Sequence, residues 1–408
     1  MKESNPQFNL FSKEKAAEGW CFLASSKYTT LRLHNRFSGS TPPDNVACDM
    51  FRKWDKSCSS ADGLVPYLKI ALPLVAGDIF RPRGESYVTS YGSTWCNTYR
   101  SFQPKTEDRD VSPLFLEFLE RLFPDDDERH ICTQWLAHMV QKPEQRPSWH
   151  LMLTSDSGTG KGFLYGEILS KLLIHTVSIP TYSRLTAQFS TILEDNILCH
   201  LDDPKIGNDQ MMTRIKSILS EETALIEHKG LETKTVPTFT RFVLSSNNDR
   251  PLRLDENDRR WYAPTKLMHR KDKEETQAFI IKLAAWLALP DSLSKVYNWF
   301  MHYPLTGFNH KHIHQSAQLK IMINLSAGAH DDFYASFLAE HPVFRYIDLT
   351  TAMKDEGYTK PSDAGIRRTL DESGYVQAQV STKEGRVRCW HRTGIPVEQV
   401  KNVLEADF

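Results

Sequence analysis

An α/β protein organised around a parallel sheet is the fold class that three observations in the sequence predict. A short apolar run, Leu151-Met152-Leu153, passes into a glycine-rich loop and then into the helical-looking stretch FLYGEILSKLL. A second apolar run, 196–201, ends in Asp202-Asp203, and a third, 241–244, ends in Ser245-Ser246-Asn247-Asn248. Short buried-strand runs alternating with stretches of helical periodicity are the pattern of an α/β domain.

The loop after the first run contains Ser157, Gly158, Thr159, Gly160, Lys161 and Gly162. Strand, glycine loop, lysine and helix, in that order, suit a phosphate. Glycines let backbone N–H groups turn inward, the helix N-terminus adds partial positive charge, and a lysine reaches the terminal phosphates. A nucleoside triphosphate is the expected ligand. Against the pattern G-x-x-x-x-G-K-[ST], Gly160 and Lys161 fit. Ser155 stands where the first glycine belongs, and Gly162 where the magnesium-binding hydroxyl belongs. An ordinary strand-to-helix turn shares such glycines, so the downstream motifs decide.

The 408 residues allow two or three domains, and 40% hydrophobic with 25% charged residues is ordinary for a globular chain. A net charge of -1 gives no global attraction to nucleic acid or membrane, so such contacts need local patches. Seven cysteines without a CxxC pair argue against a zinc ribbon or a disulfide framework. The N-terminal stretch has no apolar leader and no run reaches membrane-spanning length, so a cytoplasmic protein is expected, in host cytosol if viral.

Residues 1–110 mix short β-like runs, such as Trp20-Cys21-Phe22-Leu23, with turn-rich stretches, and show no catalytic constellation. Tyr87, Tyr91, Trp95, Tyr99 and Phe102 suit a small core better than base stacking, although Arg81, Arg83 and Lys105 lie near them. Residues 111–148 read as a helical subdomain. PLFLEFLERLF puts its apolar residues on one face, acids open the next helix, and Pro143 ends it.

After the loop, LTAQFSTILE carries Leu185, Phe189, Ile192 and Leu193 at helical spacing. Asp202 and Asp203 at a strand end suit hydrolysis: one acid holds Mg²⁺ and its neighbour orients or deprotonates water. Plain caps and turns use the same residues. A hairpin follows, Thr223 to Glu227 against Thr233 to Pro237, with His228 and Lys229 at its tip. Asn247 or Asn248 can bond an attacking water or a γ-phosphate, and Arg259 or Arg260 can reach a neighbouring subunit's phosphoryl group.

Together these motifs resemble the superfamily 3 helicases of phages, plasmids and large DNA viruses, particularly the helicase part of primase-helicases. The likeness is clear over residues 110–265. The resemblance implies an AAA+ core at 149–268 and a hexameric homo-oligomeric ring that moves on single-stranded, forked or double-stranded DNA with ATP and Mg²⁺. It implies that Lys161 binds phosphate, that Asp202 and Asp203 form the Walker B pair with Asp202 on magnesium, and that Asn247 is the sensor. His228 and Lys229 would grip DNA, and Arg259 or Arg260 would be the arginine finger. A hydroxyl residue often stands one position after the glycine in phage members, and Phe163 occupies that place here.

Residues 269–328 read as a helical lid or collar, where the alternate histidines 310, 312 and 314 suit solvent better than a metal. Residues 329–408 read as three short helices and a hairpin tipped by Lys383-Glu384-Gly385, which resembles a winged-helix domain. That likeness would put Arg367 and Arg368 on the recognition helix and Lys383, Arg386 and Arg388 in the wing, facing DNA. The expected function is an ATP-dependent DNA helicase of phage or mobile-element replication, with a primase or polymerase fused or recruited. The alternative is a nucleotide-gated DNA-binding or assembly factor that unwinds nothing.

Overall fold

The structure, a computed structural model, describes residues 6–24, 31–54, 71–90, 92–187, 191–205, 209–227, 233–249, 251–252, 254–255, 258–356, 363–383 and 385–406. Strands β1 (Trp20–Leu23), β2 (Arg32–Asn35) and β3 (Leu74–Val75) form one small sheet near the N-terminus. Strands β4 (Asp78–Ile79), β5 (Tyr87–Ser90) and β6 (Ser93–Asn97) form a second. Cys21, Val75 and Cys96 make a small core here, with Tyr87 packed against it. This is the packing use expected of that tyrosine.

The helical subdomain follows its sequence signals. Ser112 caps Pro113–Leu122 by accepting from Leu114 N, and Asp125 caps Asp126–Gln141 by accepting from Glu128 N. Such caps contribute about 1 kcal/mol each.

Five strands form the central sheet: β7 (His150–Thr154), β8 (Thr176–Ile179), β9 (Leu198–Asp202), β12 (Arg241–Ser246) and β13 (Trp261–Tyr262). Between β9 and β12 lies the hairpin of β10 (Thr223–Ile226) and β11 (Lys234–Pro237). The sheet order is β13-β7-β12-β9-β8, and every pairing is parallel. Period-2 alternation divides β7 between two cores: Leu151 and Leu153 join one face, Met152 the other. The first face is covered by Phe115, Phe118, Trp135 and Phe300, from the helical subdomain and from helices after β13. Burying each large apolar side chain of this kind stabilises the fold by roughly 1.5–3 kcal/mol. This explains why residues 111–148 pack as part of the sheet domain's core.

Three local features depart from the sequence reading. The β8 strand was not expected; its partly exposed TVSI run carries little apolar signal. The helix expected through Leu193 is short, Tyr182–Thr186, with Ile192 and Leu193 in a turn. The helix after the loop runs Lys161–Phe163 and Ser170–Leu173 around a π-helical stretch, Leu164–Leu169. Such widened turns are frequent beside functional sites.

The C-terminal residues contain the helices Ala317–Glu340, Tyr346–Asp355 and Asp363–Glu372, then a hairpin of β15 (Tyr375–Thr382) and β16 (Gly385–Arg392). The division expected at residues 328 and 329 falls inside the continuous first helix. A short strand β14 (Val343–Arg345) and a last helix, Val397–Ala406, complete this part, beyond the three helices and hairpin that the sequence predicts. Among the described residues no helix is long and apolar enough to cross a membrane.

Candidate nucleotide site

Parallel strands bring the motifs to one edge. The register aligns Thr154 with Ser246 and Ser245 with Asp202, so β7, β12 and β9 end together. Crevices at the C-terminal edge of parallel strands are where α/β sheets bind ligands. The phosphate-like loop leaves β7 at this edge, turning through Gly158 at φ +87° and Gly160 at φ +108°. A Cβ on Gly160 would meet Phe118 Cε2 at 3.0 Å in a backbone conformation that side chains rarely adopt, so glycine is required there.

Lys161 joins the motifs. Its Nζ donates to Ser155 Oγ, to Ser246 O at 2.7 Å and to Asn247 Oδ1 at 3.1 Å. Burial pushes the amine down to about 8, against the pull of the Asp203, Asp202 and Asp156 carboxylates. A partly desolvated cation at the mouth of a glycine loop suits a multiply charged anion.

Asp203 sits in left-handed backbone at φ +47°. Its carboxylate accepts from Ser246 Oγ at 2.6 Å and Asn247 N at 3.2 Å. The Ser246 hydrogen bond, followed by the Asn247 N–H and the Lys161 charge, holds this carboxyl below the usual range. Asp203 therefore suits anchoring the end of β12 better than taking up a proton. Asp202 is exposed at the end of β9. Beneath it, buried His200 lies 2.9 Å from Ser245 Oγ and 3.1 Å from Ser178 Oγ, stacks on Tyr165, and is pushed by burial down to about 4. It ties β8, β9 and β12 together as a neutral ring.

The donor set fits a triphosphate through Lys161 and the glycine loop, and fits magnesium through Asp202. Neither Gly162 nor Phe163, the two residues after Lys161, offers a hydroxyl to magnesium. Thr159 Oγ1 donates to Asp156 O at 3.2 Å, and Phe163 packs edge-on against Phe118 at 5.6 Å in the core. Among the described residues no group of three or more His, Cys, Asp or Glu could hold a metal unaided.

Several residues missed by the sequence reading brace the loop. The segment after β13 runs alongside it, with Leu267 N donating to Thr154 O at 2.9 Å and Asp156 N to Leu267 O at 3.1 Å. Lys266 thereby reaches Asp249 at 3.0 Å and Asp156 at 3.5 Å, and His269 Nε2 lies 3.1 Å from Ser157 O. Only their position just beyond DRRWY could have signalled them.

Other expected site residues lie elsewhere. Arg259 and Arg260 precede β13, whose Trp261 pairs with His150 at the start of β7. They therefore stand at the opposite edge of the sheet, about 16 Å from their own loop by strand length. Arg259 is exposed, whereas Arg260 is held by Ser220 Oγ at 2.9 Å and by buried Asp258 at 3.5 Å. The hairpin pairs Thr223 with Pro237 and Ile226 with Lys234, but His228 and Lys229 lie outside the described residues. Arg367 is exposed on Asp363–Glu372; the side chain of its neighbour Arg368 lies outside the described set. Arg386 and Arg388 share an exposed face of β16, and Lys383, though exposed, pairs with Glu405 of the last helix at 3.8 Å.

Comparison with known proteins bears on this same region. Residues 153–260 match a family of unknown function, DUF5906. A DNA primase-polymerase of Nitratiruptor phage NrS-1 is 29% identical over 137 residues, which cover 32% of this chain and 19% of that protein. The match thus spans about a fifth of the curated relative's length. Two apo structures of the NrS-1 C-terminal region are similar in fold. One, the A form, has a TM-score of 0.60 at 15% identity, covering 93% of this chain and 98% of that one; the other has a TM-score of 0.57 at 16% identity, covering 95% and 99%. The chain is thus similar in sequence to part of a phage primase-polymerase, and in fold to the NrS-1 C-terminal region.

Proposed function

We propose that this chain is an ATP-hydrolysing DNA helicase module of phage-type DNA replication, with an AAA+ core of the superfamily 3 kind acting as a homo-oligomeric ring. The convergence of Lys161, Asp202, Asp203 and Asn247 at one edge of a parallel sheet carries this reading. Similarity to a phage DNA primase-polymerase supports the replication setting, and suggests that primer synthesis belongs to a fused or recruited partner. Magnesium-ATP would supply the transferable phosphoryl group with part of its charge neutralised.

In this reading Lys161 and the loop from Ser157 to Gly162 hold the phosphates, and Asp202 holds the metal. Asp203 keeps the end of β12 in place, so that the Asn247 amide is aimed at the γ-phosphate. Arg259, too far from its own loop, serves that of a neighbouring copy. The hairpin tip at His228 and Lys229 touches the DNA strand. Exposed Arg367, Arg386 and Arg388, with Arg368 and Lys383, give a C-terminal winged-helix-like domain its DNA-facing charge.

ATP hydrolysis by the purified chain, with and without single-stranded DNA, tests the reading. DNA-stimulated turnover that Lys161→Ala abolishes, and that Lys229→Ala uncouples from DNA, is the expected result. Phe163 where a hydroxyl residue often stands, and Ser155 where the first loop glycine belongs, favour a second reading, a nucleotide-gated assembly factor. Nucleotide-dependent DNA binding without turnover would select that reading over the motor.

A further inference from the structure

We infer that the cleft between the N-terminal sheets and the central-sheet domain binds a single strand of nucleic acid, at a site separate from the nucleotide loop. The cleft measures about 960 Å³ and brings together Arg36, Arg83 and Arg100, Lys171, and the rings of Phe37, Tyr99, Phe102 and Tyr297. Among the described residues no carboxylate lines it. In a chain of net charge -1, three arginines and a lysine around a cleft whose described lining holds no carboxylate are a local departure of the kind that marks polyanion binding.

The cations differ in how they are held. Arg36 donates to Asn97 O at 2.5 Å and Ser86 Oγ at 3.1 Å, which fixes its guanidinium 4.1 Å from the centre of the Phe37 ring. The Arg100 guanidinium approaches the same ring at 5.3 Å. Lys171 pairs with Glu167 at 2.5 Å. Arg83 and Arg100 are exposed, and neither guanidinium has a carboxylate partner among the described residues. These two are the charges available to a ligand.

The rings are set beside them. Phe102 lies 5.0 Å from Tyr297, and Tyr99 stacks on His175 at 5.4 Å, yet all four rings of the cleft keep part of their surface exposed. A lone phosphate would use the cations and leave the rings idle, and a duplex keeps its bases stacked on each other. An unpaired strand uses both, with phosphates on arginine and bases on aromatic faces. Backbone strain points to the same place. Among the described residues four non-glycines have positive φ; Arg83 at 57° and Ile174 at 61° line this cleft, and Asp203 lies in the nucleotide site. Strained residues of this kind concentrate where a fold holds a ligand.

The test is fluorescence anisotropy of a labelled oligothymidylate titrated with the full chain at low salt, without nucleotide. Because no nucleotide is present, failure of the ATPase reading leaves this result intact. The double variant Arg83→Glu/Arg100→Glu should weaken binding about tenfold or more and lower the salt slope by about two. Phe102→Leu should weaken it about fivefold or more with the slope unchanged. Both arginines are exposed, and unchanged melting temperatures verify that the variants are folded. A blunt duplex should bind more weakly than the single strand. Tighter binding of oligothymidylate than of oligouridylate assigns the strand as DNA, and the reverse assigns it as RNA. Unchanged single-strand affinity in the double arginine variant, or an equal loss of duplex affinity in that variant, would overturn the proposal.

Discussion

Lys161 Nζ lies 3.1 Å from Asn247 Oδ1, so the cation of the glycine loop and the amide at the end of β12 form one contact across neighbouring strands. A phosphate entering the loop competes with Asn247 for that amine. Release of the amide on binding would make Asn247 a reporter of nucleotide occupancy. Asn247→Ala is expected to retain nucleotide affinity within a few fold while turnover falls on the order of a hundredfold. Measuring Kd and kcat on the same preparation separates this from a binding defect.

The burial of Lys161 gives nucleotide affinity a pH dependence. Its amine, pushed down to about 8, is cationic below that pH and loses its proton above it. A bound phosphate favours the charged form, so binding above pH 8 must take up a proton. Kd should rise toward tenfold per pH unit through that range. Lys161→Arg, whose guanidinium stays protonated, should bind with a flat profile from pH 7 to beyond 9. A wild-type Kd constant over that range would show that Lys161 is not the phosphate cation.

Arg259 and Arg260 separate by what holds them. Arg260 bonds Ser220 and Asp258 in its own chain, and Asp258 is 2% exposed. Arg260→Ala leaves that carboxylate short of a partner and should lower stability by about 1–3 kcal/mol, seen as a reduced Tm. Arg259→Ala should leave Tm unchanged and reduce hydrolysis on the order of a thousandfold. Mixing Arg259→Ala with Lys161→Ala copies should restore part of the turnover, since each then supplies what the other lacks.

The residues that the fold gathers at this sheet edge are legible because each lies in a contiguous motif at the end of a buried run: Lys161 after β7, Asp202 and Asp203 after β9, Asn247 after β12. The bracing set is not legible. Lys266 and His269 reach the loop only through the pairing of Leu267 with the end of β7, a contact between segments over a hundred residues apart that no local pattern encodes. Strand β8 hides for a different reason, since an edge strand with two partly exposed residues and one exposed residue lacks the apolar run that marks β7 and β12. The arginine cleft was half visible. Arg83, Tyr99 and Phe102 stood out near one another, but Arg36, Lys171 and Tyr297 join them only through the tertiary fold.

Arg241 tests the junction between the helical subdomain and the sheet. It is fully buried, and its guanidinium donates to the carbonyls of Lys142 at 2.9 Å, Pro143 at 3.2 Å and Gln145 at 2.7 Å. Burial pushes it down to about 9, and the dipoles of those carbonyls stand in for an acid. Arg241→Leu would leave the carbonyls without their donor and is expected to cost about 3–5 kcal/mol. A lowered denaturant midpoint with unchanged m would check this.

A hydroxyl can be introduced after Lys161 with little disturbance. Gly162 has no positive φ, and a Cβ built there meets nothing within 4 Å, so Gly162→Ser completes the G-K-[ST] pattern without strain. If the loop holds a metal-bound triphosphate, this change should tighten magnesium-dependent nucleotide binding several-fold and raise turnover. The neighbouring change Phe163→Ser places a hydroxyl one residue later but removes a ring packed on Phe118, so it should lower stability by about 2–4 kcal/mol. Gly160→Ala, at φ +108° and 3.0 Å from Phe118, should lose nucleotide binding altogether. Titrating magnesium against the three variants distinguishes a loop that lacks only its metal ligand from one that binds no triphosphate. In the second case Gly162→Ser would change nothing.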